Sequence, residues 1–365
     1  MKKVKLGDVC IIQSGGTPSK KETAFYGGNI PWITTVALND GYIDECDAVE
    51  WITETAILKS AAKIVPANSI MVGTRVGIGK TSINKVPMST NQDIVSLLKI
   101  DENKWDKCYI SKFISEKKSF LNSQARGATI KGIRIETLKS LELPYTPLEE
   151  QRRIASVLDK VNGLIDKRRR QMDRLDELVK SEFIEMFGDP IQMDKNEVLQ
   201  KLGDVCTLKA GKFVKASDIS ASAFNNSYPC YGGNGIRGYV KDYNCNGCFP
   251  LIGRQGALCG NVQYATGKFR ATEHAVVVTP KIKMDKYWLY FLLFLLNLNR
   301  YASGAAQPGL AVKRLEEIRV KIPDIKDQQK FSKIAYQSDK SKSEIKKSLE
   351  KLETLKKALM QKYFE

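Results

Sequence analysis

The sequence predicts a mixed α/β (α+β) protein with an internal pseudo-twofold repeat. Two globular units are separated by two long helices, which pair as an antiparallel coiled coil. Three observations lead there. Leu6-Gly7-Asp8-Val9-Cys10 recurs as Leu202-Gly203-Asp204-Val205-Cys206, 196 positions on. Each half closes on a long stretch with apolar residues at alternating spacings of four and three, the pattern of a heptad seam. Between these marks, short β-type runs alternate with Gly-rich turns and single helical stretches.

In chain order, the first globular unit covers residues 1–148. Ser69 to Val72 and Asp93 to Leu98 read as strands, and Lys107 to Leu121 as helix. The first helical region covers residues 149–188. Its seam runs Ile154, Leu158, Val161, Ile165, Met172, Leu175 and Val179, interrupted only by Arg168. Gly188-Asp189-Pro190 supplies the stop, a Gly followed by Pro. The second globular unit covers residues 189–325. Phe249 to Ile252 and Ala275 to Thr279 read as strands, and Tyr287 to Leu298 as helix. The last region, 326–365, carries Phe331, Ala335, Ile345, Leu349, Leu352, Leu359 and Tyr363 in the same phase as the first seam, 177 positions later. Ser338, Lys342 and Lys356 weaken it. A helix of about 37 residues is roughly 55 Å long. An apolar seam of that length needs a partner, and the other helix of the same chain is the nearest one.

Further pairs of segments extend the repeat. Val72 to Gly77 answers Ile252 to Gly256. Ser89-Thr90-Asn91-Gln92-Asp93-Ile94-Val95 answers Ala271-Thr272-Glu273-His274-Ala275-Val276-Val277. Ser140 to Pro144 answers Arg319 to Pro323, and Leu148 to Gln151 answers Ile325 to Gln328. The offset falls from 196 to 177 along the chain, so the globular interiors differ by insertions while the junctions are kept.

Composition narrows the function classes. Of the 365 residues, 42% are hydrophobic, enough for real cores, and 27% are charged, so disorder does not fit. Fifty-eight Lys and Arg face 41 Asp and Glu, a net charge of +17. A surplus of that size points to a polyanionic partner, first of all nucleic acid. The longest apolar run, Trp288 to Leu298, has eleven residues, about half the roughly 20 needed to span a bilayer. It reads as a buried helix, and no membrane association is expected. Without an apolar leader at Met1-Lys2-Lys3-Val4, the eight irregularly spaced cysteines read as reduced thiols of a cytoplasmic protein.

Several catalytic patterns can be set aside. Gly73 to Thr81, GTRVGIGKT, has five residues between its first Gly and Gly79-Lys80-Thr81, where a phosphate-binding loop needs four, and no helix start follows. Gly233 to Gly238 matches G-x-G-x-x-G by letter, but a strand-like segment follows it rather than a helix. Cys245-Asn246-Gly247-Cys248 is a lone pair without a second close pair, so no metal site is expected. His274 is the only histidine and has no nucleophile turn to serve. Glu116-Lys117-Lys118 is not a carboxylate cluster of the kind a metal nuclease requires. The Asn-Pro-Pro-aromatic tetrapeptide of amino-methyltransferases is absent. No catalytic residue is assigned.

What remains suits nucleic acid. In the first unit the candidate DNA-binding residues are Thr17, Ser19 and Lys20, then Arg75, Lys80, Asn91 and Gln92, and finally Arg126, Thr129 and Lys131. In the second they are Lys212, Asn234 and Arg237, then Arg254, Gln255 and Asn261, and finally Gln307 and Lys313. Gly-rich turns let backbone approach phosphate, while Arg, Asn and Gln pair bidentately with guanine and adenine edges. The competing reading is a coiled-coil scaffold or inhibitory protein that binds acidic partners without regard to DNA sequence. The basic run Lys167-Arg168-Arg169-Arg170 suits either.

These features resemble the specificity subunit of Type I restriction–modification enzymes. The residues that carry the resemblance are Gly15-Gly16-Thr17-Pro18-Ser19 with Ile30-Pro31-Trp32-Ile33, the run Tyr231 to Tyr239, Gly253-Arg254-Gln255-Gly256, and Pro147-Leu148-Glu149-Glu150-Gln151-Arg152-Arg153-Ile154 opening a long helix. The resemblance covers the whole chain. It implies two target recognition domains, each reading half of a split site on double-stranded DNA, with the paired helices as spacer. It also implies two methyltransferase subunits and restriction subunits as partners. S-adenosylmethionine, ATP and magnesium would bind those partners, and this chain would hold no cofactor and be non-catalytic by itself. A spacer of roughly 50 Å corresponds to about one and a half turns of DNA.

Overall fold

The computed structural model of the protein describes residues 2–127, 131–192, 198–256, 258–304 and 308–365. It divides into two compact units, one made of Met1–Arg168 with Ser348–Glu365, the other of Arg169–Lys347.

In the first unit a five-stranded sheet takes the order Ile11–Ser14, Ile94–Leu98, Ile70–Gly73, Thr81–Asn84, Tyr42–Ile43. A second sheet runs Glu50–Ile52, Tyr26–Ile33, Met88–Thr90, Ile64–Val65. The strand Ile70–Gly73 is buried throughout, as its unbroken apolar run requires of a central strand. Helix Lys107–Glu116 covers the first sheet through Tyr109, Ile110, Phe113 and Ile114. The helix predicted over residues 107–121 breaks at Lys117, where a second one, Lys118–Ser123, begins. A two-stranded ribbon, Lys3–Lys5 with Glu142–Pro144, ties the chain start to the approach of the first long helix.

The second unit repeats this plan. One sheet runs Cys206–Ala210, Ala275–Pro280, Phe249–Gly253, Val262–Ala265, and another Gly235–Val240, Tyr228–Gly232, Lys268–Ala271, Cys245–Asn246. The apolar run becomes helix Lys286–Leu295, with Trp288, Leu289, Phe291, Leu292 and Leu293 buried. It ends before Asn297, which takes a left-handed conformation (φ 48°). Among the described residues no helix is long and apolar enough to cross a membrane.

Strand registers correct the repeat alignment. Ile94 pairs with Gly73 and Ala275 with Gly253, so Ile94 corresponds to Ala275, one residue away from the sequence match. A one-residue slip exchanges the two faces of a strand. The ribbons pair Lys5 with Glu142 and Lys201 with Arg319, so Leu143 corresponds to Val320. There the sequence match is off by two, which preserves the face.

The repeated Leu-Gly-Asp-Val-Cys has a packing cause. A Cβ on Gly7 would meet the Lys139 side chain at 3.0 Å, and one on Gly203 would meet Glu316 at 2.8 Å. Both glycines let a short helix, Ile135–Lys139 or Val312–Glu316, lie against the chain. Leu6 and Leu202 then donate backbone bonds to Leu141 and Ile318 at 2.9 and 2.7 Å.

The long helices span Leu148–Phe187 and Ile325–Phe364. Neither contains Pro, and Glu149 and Glu150 in the first turn complement the positive end of the helix dipole. Gly188 (φ 84°) closes the first one, its N–H donating to Ile184 O at 2.8 Å. In the first unit, the beginning of the first helix packs with the end of the second, Ile154 and Leu158 sharing a core with Met360 and Phe364. In the second unit, the end of the first helix meets the beginning of the second. Lys342 bonds Asp176 at 2.6 Å, and Phe331 lies 5.2 Å from the Phe183 ring, an antiparallel progression. Ile154, Leu158, Val161, Ile165 and Val179 of the predicted seam are buried, while Met172, Leu175, Ile345, Leu349, Leu352 and Leu359 are half-buried.

A buried glutamine locks each helix start to its globular body. Gln151 Oε1 accepts from Asp106 N at 2.9 Å, and Nε2 donates to Lys104 O and Thr146 O at 2.9 and 2.8 Å. Gln328 Oε1 accepts from Asp285 N at 2.8 Å, and Nε2 donates to Pro323 O at 2.8 Å. Asp106 and Asp285 are themselves the N-caps of the sheet-covering helices. One amide therefore joins two helix starts in each unit.

Candidate nucleic-acid interface

In the first unit, loops converge where strand Ile11–Ser14 ends, strand Ile70–Gly73 ends and strand Ile94–Leu98 begins. Gly15 N donates to Ile94 O at 3.0 Å and Gly16 N to Thr90 O at 2.8 Å. A Cβ on Gly15 would stand 2.2 Å from Asn91 O, so the approach requires glycine. The Thr17 hydroxyl donates to the Gln92 side chain. Thr74 donates to Asp93 O through both its N–H (2.8 Å) and its hydroxyl (3.1 Å). Arg75 stands 3.6 Å from the Asp93 carboxylate. A last segment, bridged between Arg126 and Gly132, is held by Ile133 N donating to Thr74 O at 2.8 Å.

The second unit builds the same cluster with other side chains. Gly211 N donates to Ala275 O and Lys212 N to Ala271 O, both at 3.0 Å. Arg254 N donates to His274 O at 3.1 Å, and Leu310 N to Arg254 O at 2.8 Å. Bridges join Gln255 to Gly309 and Ser303 to Gly309. One more segment enters here: Gly232-Gly233-Asn234 turns between two strands, and a Cβ on Gly253 would lie 1.8 Å from Gly233 O. Asn261 Nδ2 donates to Asn234 Oδ1 at 2.7 Å.

Position by position, Thr74 and Arg75 correspond to Arg254 and Gln255, Asp93 to His274, and Arg126 and Gly132 to Ser303 and Gly309. The backbone frame is duplicated, and the side chains it presents differ at nearly every position. Arg254 Nε, Thr272 Oγ1 and Glu273 Oε2 are buried with no hydrogen-bond partner among the described residues. Other unpartnered buried atoms, Ser96 Oγ in a central strand and Trp288 Nε1 in the core, lie outside the loops.

The predicted residues fall in several places. Thr17, Arg75, Gln92, Arg126, Lys131, Lys212, Asn234, Arg254, Gln255 and Asn261 lie on the converging loops. Lys80 ends the turn of the hairpin Gly73–Thr81, its N–H donating to Gly77 O at 2.9 Å. Asn91 is in the cluster but buried, with both amide atoms spent on Asp93 at 3.1 and 3.2 Å, so it shapes the turn rather than offering its edge outward. Ser19 and Lys20 lie on the next stretch of chain, where Lys20 pairs with Glu50 at 3.5 Å. Arg237 lies across Gly232 from the neighbouring strand, and Lys313 is exposed on Val312–Glu316. Thr129 and Gln307 lie outside the described residues.

Sequence reasoning passed over Thr74, Asp93, Thr272 and Glu273. The corrected register would have aligned the pairs Asn91 with Thr272 and Gln92 with Glu273. The run GTRVGIGKT is a hairpin, with Gly79 N donating to Gly73 O at 2.9 Å and strand Thr81–Asn84 following. Gly233 to Gly238 is the turn and outgoing strand of another hairpin. Among the described residues no group of three or more His, Cys, Asp or Glu side chains is arranged to hold a metal ion.

Comparison with known proteins agrees with this duplicated frame. The family model described as the Type I restriction modification DNA specificity domain matches twice, over residues 1–174 and 194–357. The Type I restriction enzyme EcoprrI specificity subunit of Escherichia coli is 33% identical over 341 residues, covering 88% of this chain and 84% of that protein. The MjaIX specificity subunit of Methanocaldococcus jannaschii is 27% identical over 362 residues, with 90% and 84% coverage. Among solved structures, the S subunit of a Type I restriction–modification system from M. genitalium superposes with a TM-score of 0.67 at 19% identity. The alignment covers 100% of this chain and 96% of that one.

Proposed function

Because the chain belongs to the Type I restriction–modification specificity-subunit family, we propose that each of its globular units reads one half of a split site on double-stranded DNA. The converging loops do the reading. Glycine-enforced approaches would bring backbone N–H groups to phosphate, and Arg75, Arg254, Gln255 and Gln92 would address base edges. The paired helices set the separation of the half-sites. Their outer faces receive two methyltransferase subunits, to which restriction subunits add. Methyl transfer and cleavage belong to those partners, along with S-adenosylmethionine, ATP and magnesium. The complex works in the cytoplasm.

The observation that carries this reading is the pair of equivalent loop clusters with unlike side chains. A homodimeric reader presents two identical surfaces and suits a palindrome. One chain with two diverged surfaces suits a bipartite site whose halves differ.

Methylome mapping of cells that co-express this chain with its methyltransferase tests the proposal. A split motif with a constant gap is expected. Arg254→Ala should relax one half of the motif and Arg75→Ala the other, each costing about 1–3 kcal/mol of discrimination at the affected base. Absence of any split motif would sink the reading, as would loss of both halves from either single change.

A further inference from the structure

One cavity of the second unit is not accounted for by DNA reading. It has a volume of about 630 Å³ and lies where helix Lys286–Leu295 meets the first turns of the second long helix. Tyr264, Tyr287, Tyr290 and Tyr336 line it, with the Asp339 carboxylate among them. The rings form a box rather than a slot. Tyr264 and Tyr287 stand edge to face at 4.9 Å, and Tyr287 and Tyr336 at 6.5 Å with 74° between their planes. Tyr287 and Tyr290, the near-parallel pair, are only 5.9 Å apart, too close to admit a flat base between them.

The charged side chain on the lining is an acid, Asp339. Asp339 accepts from the Tyr287 hydroxyl and bonds Lys342 at 2.9 Å, while Lys342 also bonds Asp176 at 2.6 Å. Among the described residues that line the cavity, Asp339 is the one with a charged side chain, in a chain of net charge +17.

The repeat supplies an internal control. The two buried glutamines and the two N-caps they hold put Asp106 in register with Asp285 and Gln151 with Gln328. The equivalent cleft of the first unit is lined by Asp106, Cys108, Arg152, Ala155, Ser156, Asp159 and Lys160. Cys108 stands there in place of Tyr287, and Asp159 in place of Tyr336. The fold therefore does not require aromatic residues at these positions. Tyr336 is 67% exposed, so packing does not explain it either.

We infer that this cavity is a binding site for an organic cation, an alkylammonium or guanidinium group held against tyrosine faces beside the Asp339 carboxylate. The attraction of a cation to an aromatic face, with a carboxylate beneath, is the chemistry such a box offers. The cation comes either as a free small molecule or as a side chain of a bound protein.

The test titrates the full-length chain, labelled with ¹³C at tyrosine ring positions, with tetramethylammonium, with N-acetyl-arginine amide and with neutral tert-butanol. Saturable shifts of a few tyrosine signals are expected with at least one cation and not with the alcohol. Preference for tetramethylammonium marks a free ligand, and preference for the arginine amide marks a protein side chain. Tyr336→Ala, an exposed change that leaves folding intact, should weaken binding about tenfold, and Asp159→Ala in the other cleft should not. No saturable shift with either cation overturns the inference, as does equal binding of tert-butanol or full binding by Tyr336→Ala. None of these outcomes bears on DNA reading, which the methylome tests separately.

Discussion

Replacing Gln151 by Leu keeps nearly the same volume but removes three hydrogen bonds. Asp106 N loses its acceptor, and Lys104 O and Thr146 O lose their donor. The Gln151 side chain is wholly buried, so water cannot reach around it easily. A net hydrogen bond is worth about 0.5–1.5 kcal/mol, and a stranded buried group costs about 1–3 kcal/mol. Since the Lys104 and Thr146 carbonyls are only part-buried, a loss of about 2–4 kcal/mol is expected. With a urea dependence of about 2–3 kcal/mol/M, the midpoint of the first unit should fall by about 1 M. The transition is followed by tryptophan fluorescence, because Trp105 lies just beyond the Lys104 carbonyl. Gln328→Leu removes two bonds rather than three and should cost less. Gln151→Glu adds a pH signature. A carboxylate there would face two carbonyl oxygens in a buried place, so its folded-state pKa would rise above the unfolded value. The native state then binds more protons than the unfolded one, and stability must fall as pH rises from 5 to 8. A Gln151→Leu midpoint within 0.2 M of the parent, roughly 0.5 kcal/mol, or a flat pH profile for Gln151→Glu beyond that of the parent, would refute the locking role.

Four further outcomes can be checked. Gly253→Ala would force a Cβ to within 1.8 Å of Gly233 O, a backbone atom. It should disrupt the second loop cluster and abolish recognition of one half-site, whereas Gly163→Ala, with nothing within 4 Å of the new Cβ, should stabilise its helix by about 0.5–1 kcal/mol in thermal melts. Phe364→Ala removes a wholly buried ring that lies 5.2 Å from Tyr109 and 5.7 Å from Phe113. It should cost about 3–5 kcal/mol and lower the urea midpoint of the first unit. Burial pushes the thiols of Cys10 and Cys206 up to about 12, so iodoacetamide at pH 8 should label exposed Cys46 and Cys248 and spare these two until urea unfolds the chain.

The long helices were legible in the sequence because heptad spacing is a local signal that forty residues repeat. Their ends were not. The predicted seam runs through Leu359 and Tyr363, yet Met360 and Phe364 are the buried residues there. At its last turns the helix keeps its contact with Ile154 and Leu158 and also turns its apolar side toward Tyr109 and Phe113 of the globular core. Phe183 was missed for the same reason. It joins Phe187, Trp288 and Phe331 in an aromatic cluster that exists only in three dimensions. The loop residues divide similarly. Glycines flanking polar side chains pointed to Thr17, Arg75, Arg254 and Asn234. The burial of Asn91 was hidden, because an Asn–Asp turn that closes on itself has the same letters as one that faces outward.

The corrected register explains why the junctions of the repeat were kept while the loop clusters drifted. Each junction residue holds two things at once. Gln151 and Gln328 each join a helix start to the N-cap of another helix, and Gly7 and Gly203 each seat a second short helix. A substitution at any of them strands a buried group or drives a Cβ into a neighbour, so both copies retain the same residue. At the loop clusters, by contrast, the frame is made by main-chain bonds. Thr74 N to Asp93 O and Arg254 N to His274 O are the same bond, and it is indifferent to the side chains on either residue. Such a frame keeps its geometry while Thr-Arg becomes Arg-Gln and Asp becomes His. The chemistry displayed to a ligand can therefore change without rebuilding the main-chain frame, which is the property a recognition surface needs in order to acquire a new target.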